Sequence, residues 1–119
     1  MDELLATYFA AWNEPDSEQR RGALERAVIP DVELVDPTGR WQGVAGLVDR
    51  IGNYQASAPG TRVVLGSGVD AHNDVIRYGW RIVDGQGREL MQGIDVAERA
   101  GDERLRRILM FHGPLPPPS

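Results

Sequence analysis

The chain has 119 residues, 13 of them basic and 18 acidic, for a net charge of -5. That balance argues against a general electrostatic affinity for nucleic acid or an anionic membrane. There is no cysteine and no lysine, which excludes disulfides, thiolate metal sites, cysteine nucleophiles and Schiff-base lysines. The four serines lie in no GxSxG elbow, against an α/β-hydrolase triad. Chemistry falls to carboxylates, tyrosines and two histidines. No stretch reaches the length of a membrane span. The opening MDELLATYFAAW lacks a basic leader region and reads as a helix, so a cytoplasmic location is expected.

In Asp2 to Asn13, the residues Leu4, Leu5, Tyr8, Phe9 and Trp12 recur at helical spacing. NEPD breaks the chain at Pro15, and a second helix is predicted from about Ser17 to Val28. Asp16 with Gln19 three residues on resembles a capping box. Pro30 ends that run, and a short extended piece covers Val32 to Val35. After a turn at Gly39, a third helix fits Val44 to about Ala56, with Val44, Leu47, Val48, Ile51 and Tyr54 on one face.

The second half reads as strands: TRVVLGSGVDA, VIRYGWRIV, RELMQGIDVAE and RLRRILMFHG, with turns at HND, DGQG and AGDE. RLRR fits a solvated strand face better than a phosphate groove. The tail PLPPPS cannot pair in a sheet and is expected to be extended and mobile. One domain over residues 1–113 is expected, with a Pro-rich tail over 114–119. Helices followed by an antiparallel meander give an α+β order. Helices should cover one face of the sheet, and a second subunit the other.

Four motifs bear on function. GSGVDA, Gly66 to Ala71, matches a loose dinucleotide pattern, but a strand follows it, so its glycines are better read as a bulge. Asp70, His72 and Asp74 alternate, yet they lie in a turn with no second ligand cluster, so no metal is expected. Asp36, in ELVDPTG, supports two readings: a turn residue before Pro37, or a general base at the edge of an apolar pocket. Asp95, in LMQGIDVA, also supports two. It is either a neutral acid able to donate to an oxyanion, or a carboxylate paired with Arg77 or Arg81 or turned to solvent. Tyr8, Trp12, Trp41 and Trp80 can all be plain core residues, and His112 a hydrogen-bonded structural histidine.

Together these segments resemble the nuclear transport factor 2-like superfamily, which includes ketosteroid isomerase and the SnoaL-like polyketide cyclases. TYFAAWN, VELVDPTG and QGIDV carry the resemblance, in order and at similar separations. It implies a cone-shaped α+β barrel of three N-terminal helices on a strongly curved antiparallel sheet, with an apolar cavity and usually a homodimer. It implies Asp36 as the proton-shuttling base, and Tyr8 and Asp95 as an oxyanion hole of the kind built from a tyrosine and a neutral aspartic acid. No cofactor is implied. The partner would be a hydrophobic, ring-containing small molecule bound among Trp12, Trp41, Tyr54, Trp80, Met91, Phe111 and His112. A SnoaL-like cyclase would apply the same logic to an aldol closure. A limonene-epoxide-hydrolase-like pairing fits less well, because Gly93 stands where that relative has an arginine. The same fold can also serve as a non-catalytic small-molecule carrier or dimeric interaction module.

Overall fold

The computed structural model describes residues 2–119. Three helices come first, broken by two strands: α1 (Asp2–Asn13), α2 (Ser17–Ala27), β1 (Val28–Asp36), β2 (Gly39–Gln42) and α3 (Gly43–Ser57). Four strands follow: β3 (Arg62–His72), β4 (Val75–Val83), β5 (Glu89–Arg99) and β6 (Leu105–His112).

The helices form where the apolar stripes predict them. Leu5, Tyr8, Phe9 and Trp12 of α1 are buried, as are Leu47, Val48, Ile51 and Tyr54 of α3. Asp16 caps α2 by accepting the Gln19 N–H at 2.9 Å. The reciprocal bond comes from Glu14, whose carboxylate accepts the Asp16 N–H at 3.1 Å. Arg20 then locks the connection between α1 and α2. It is buried and donates to the carbonyl oxygens of Glu14, Pro15 and Val48 and to Gln55 Oε1. Gln55 in turn donates to the carbonyls of Trp12 and Glu14. This network fixes the end of α1, and with it Trp12, against α3.

The six strands form one open sheet in the order β2-β1-β6-β5-β4-β3. The expected α+β cone is present, with one refinement. All neighbours are antiparallel except β1 and β6, which run parallel. Their ladder skips between Val28 and Glu33, around Pro30, which has no N–H to give. The β3–β4 ladder skips between Leu65 and Val69, so the Gly66-Ser67-Gly68 segment is the bulge its glycines suggest. Ser67 Oγ accepts the Gly79 N–H there at 2.6 Å. Such an insertion bends the strand and sharpens the twist, which helps curve the sheet around the helices.

The RLRR arginines are neutralised at the surface. Arg104 pairs with Asp102, Arg106 with Asp74 and Glu98, and Arg107 with Glu33. Residues 114–119 are exposed and carry no regular structure. No described helix is long and apolar enough to cross a membrane.

Candidate active site

The helices do not fill the concave face of the sheet. A cavity of about 420 Å³ remains between α1, α3 and the inner faces of β4, β5 and β6. Tyr8, Phe9 and Trp12 line it from α1, and Arg50, Asn53 and Tyr54 from α3. The sheet contributes Trp80 and Ile82, Met91 and Asp95, and Met110 and His112. Thr38 reaches it from the β1–β2 turn.

Asp95, Tyr8 and Trp80 are deeply buried members of its lining, and Tyr78 lies beside Asp95 without lining the cavity. Asp95 is only 2% exposed, and its Oδ1 has no hydrogen-bond partner. The Tyr8 hydroxyl, the Tyr78 hydroxyl and the Trp80 indole N–H are buried and make no hydrogen bond of good geometry either, although Tyr78 and Trp80 lie near enough to Asp95 to act on its carboxyl. Buried polar atoms are almost always satisfied, so a group without a partner calls for an explanation, a bound water or a ligand among them. Burial pushes the Asp95 carboxyl from an ordinary 3.8 to about 7, against the pull of Tyr78 and Trp80 beside it. The negative charge of Asp36 adds to that rise. Burial first, and then the Asp95 charge, push Tyr8 far above the normal phenol range, so its O–H stays a donor. Tyr78 moves the same way for the same reasons.

Gly93 makes room for the Trp80 indole. A Cβ there would lie 2.1 Å from the Trp80 ring and 2.2 Å from the Phe111 carbonyl oxygen. Only glycine lets the indole pack flat against β5.

Asp36 sits behind the wall. Its carboxylate accepts the Thr38 N–H at 2.9 Å and the Thr38 hydroxyl at 2.5 Å on Oδ1. Oδ2 accepts the Arg50 Nε–H at 2.6 Å. Burial alone would raise this carboxyl, but Thr38 and Arg50 outweigh it and hold the group below the ordinary carboxylate range. The turn reading of Asp36 is therefore present in full: Pro37 and Thr38 link β1 to β2, and Asp36 pairs with Gly39. Asp36 is still close enough for its charge to act on both Tyr8 and Asp95. Burial therefore does not leave Asp36 more basic than an ordinary carboxylate.

Among the other expected lining residues, Trp12, Tyr54, Trp80, Met91 and His112 reach the cavity. His112 meets the edge of Trp80 at 5.4 Å between ring centres. Phe111 does not line it: it is 60% exposed on the outer face, opposite Ile94. Neighbouring strand residues point to opposite faces, so Phe111 and His112 cannot both look inward. Trp41 does not line it either. It packs on the core beside Gly46 at the start of α3, and its indole N–H donates to Thr38 Oγ1 at 3.1 Å. Arg50, Thr38 and Asn53 also line the cavity, and Tyr78 faces Asp95 across the β4–β5 ladder. Arg50 carried a signal: a cation three residues after Leu47 and four before Tyr54 lies on the buried stripe of α3.

Asp70, His72 and Asp74 do not converge. Asp70 pairs with Arg77, Asp74 with Arg106, and His72 meets Asn73. Among the described residues, no group of three or more His, Asp or Glu could hold a metal.

Three helices over a curved sheet, with a cavity between them, define the class as a small α+β cone. No family model and no curated protein sequence matches the chain. Solved structures do. A SnoaL-like family protein from Agrobacterium tumefaciens, provisionally assigned as an isomerase, is 30% identical over 94% of this chain and 96% of its own, with a TM-score of 0.87. A protein from Sinorhizobium meliloti provisionally assigned as a polyketide cyclase superposes with a TM-score of 0.70. It is 16% identical over 91% of this chain and 93% of its own. An NTF2-like protein of unknown function from Exiguobacterium gives a TM-score of 0.73 at 12% identity, over 94% and 99%. The last two show the fold alone. The first shows the family: the chain belongs to the SnoaL-like family.

Proposed function

We propose that this protein moves a proton next to the carbonyl of a hydrophobic, ring-containing molecule, without a cofactor. The observation that carries the reading is the pair of unpartnered groups at the cavity floor, Tyr8 and Asp95. Both are donors when protonated, and both lie where water is excluded. A carbonyl oxygen set between them gains two hydrogen bonds that strengthen as it becomes an enolate. The apolar walls suit a ring body. Asp36 is the candidate base. It is ionised at neutral pH and lies close enough for its charge to act on Tyr8 and Asp95; to take a proton it must swing its Oδ1 side from Thr38 toward the cavity. Its lowered pKa makes it a weak base, so a modest rate is expected.

One observation favours a second reading, that of a ligand carrier. All three hydrogen bonds to Asp36 come from its own turn and from α3, and a carrier would leave them closed. Exchange of the protons beside the carbonyl of 2-tetralone, followed by NMR in heavy water, separates the two. Exchange faster than in buffer is the expected result. Binding of the ketone with exchange at the buffer rate would leave the carrier reading standing and the enzyme reading wrong.

A homodimer belongs to the same proposal. Leu90, Ile94 and Phe111 are exposed large apolar residues, and Ile94 and Phe111 sit side by side on the outer face. A monomer at micromolar concentration in the ultracentrifuge would rule the dimer out.

A further inference from the structure

Arg50 holds a charge that the proton-transfer reading does not use. Its guanidinium lies in the cavity wall with the side chain 11% exposed. Nε donates to Asp36, while Nη1 and Nη2 have no hydrogen-bond partner among the described residues. The guanidinium carbon is 5.5 Å from the centre of the Trp12 ring. One edge of the group is thus anchored by Asp36 and one face lies over an aromatic ring. The terminal nitrogens are what remains for a ligand. Asp36 accepts three hydrogen bonds, two from Thr38 and one from Arg50 Nε, and Asp95 is the one acidic residue among those lining the cavity. Asp36 thus holds Arg50 through Nε alone, and no other carboxylate of the wall occupies its terminal nitrogens.

A neutral ketone would use the floor and leave these donors unmet. A carboxylate matches the guanidinium fork with two oxygens in one plane. A phosphate fits less well, because it calls for more donors than one arginine in an apolar wall provides. We infer that the natural ligand carries a carboxylate, held by Arg50, on the same ring body whose carbonyl oxygen reaches Tyr8 and Asp95. The inference rests on the ligand-binding reading of this cavity. Asp36 is then also a positioning residue, which keeps the terminal nitrogens of Arg50 aimed away from the turn.

The test compares 2-naphthoate with 2-naphthamide, two probes of one shape that differ in charge. Binding is read from the fluorescence of Trp12 and Trp80, at about pH 6, where Asp95 is still mainly protonated. The native protein should bind the carboxylate about tenfold or more tighter than the amide. Arg50→Met should remove that preference. Arg50→Lys should keep part of the preference, which covers the case in which the methionine variant does not fold. Equal binding of the two probes to the native protein overturns the carboxylate subsite and leaves the cavity reading intact. A preference that survives Arg50→Met overturns it too. If neither probe binds, the subsite and the cavity reading fall together.

Discussion

Asp36→Asn should slow proton exchange beside a bound carbonyl by about 10²- to 10⁴-fold, the usual worth of a positioned base. The same change should tighten binding of a fused-ring phenol. Asp36 places negative charge near both Tyr8 and Asp95, where a phenol acquiring phenolate character would put its oxygen. Asparagine removes that charge. It also sets an amide against the Arg50 N–H that Asp36 now accepts at 2.6 Å, so the positive charge of Arg50 loses its partner and is free to act on the ligand. Asp95→Ala should move binding the other way. It deletes a donor at the floor, so phenol affinity should drop, and exchange should fall by about 10²- to 10³-fold, as for one oxyanion donor. Absorbance titration of the phenol and NMR exchange measure both quantities on the same samples. Affinity shifts of the same sign in the two variants would refute the division of roles. Unchanged exchange in Asp36→Asn would leave Asp36 as a turn and positioning residue only.

The second large effect is on stability. In the unfolded chain Asp95 titrates near 3.8, and in the fold near 7. The folded state therefore holds a proton that the unfolded state releases as pH rises. Below the unfolded value Asp95 imposes no penalty. The stability it allows is lost progressively as pH rises, and the loss is complete above the folded value. Its full size is about 4 kcal/mol. Asp95→Asn cannot ionise and escapes the loss. The stability of the variant relative to the native protein should thus rise by about that amount between about pH 4 and pH 8. Urea unfolding at the two pH values reads the difference directly. A difference that stays flat across that range would mean that Asp95 does not stay protonated in the fold. If the result is as expected, the floor of the cavity is built at the expense of stability, as functional sites often are.

Much of this was legible in the chain. The stripes of α1 and α3, the cap at Asp16 and the alternation in β3 to β6 depend on local spacing, and local spacing is what a sequence displays. β2 was missed because Gly39–Gln42 is short and begins with turn chemistry. It exists because it pairs with β1, a contact that no local pattern announces. The parallel pairing of β1 and β6 is hidden for the same reason, since the partners lie more than 70 residues apart in sequence. Asp95 was readable as an acid inside an apolar strand. Tyr78 beside it was not, because that neighbour is set by the register between β4 and β5. Phe111 shows the opposite case. Its outward direction follows from period two as soon as His112 is taken as inward. Arg50 was the most consequential omission. It turns Asp36 from an isolated carboxylate at a pocket edge into half of a buried ion pair.

The central claim is that Tyr8 and a protonated Asp95 together receive a carbonyl oxygen. A crystal structure with 2-tetralone bound tests it most directly. The ring is expected between Trp12, Trp80 and Met91, with its oxygen within about 3 Å of both the Tyr8 hydroxyl and an Asp95 carboxyl oxygen. A ketone seated with its oxygen toward the mouth, and with Tyr8 and Asp95 still unpartnered, would contradict it.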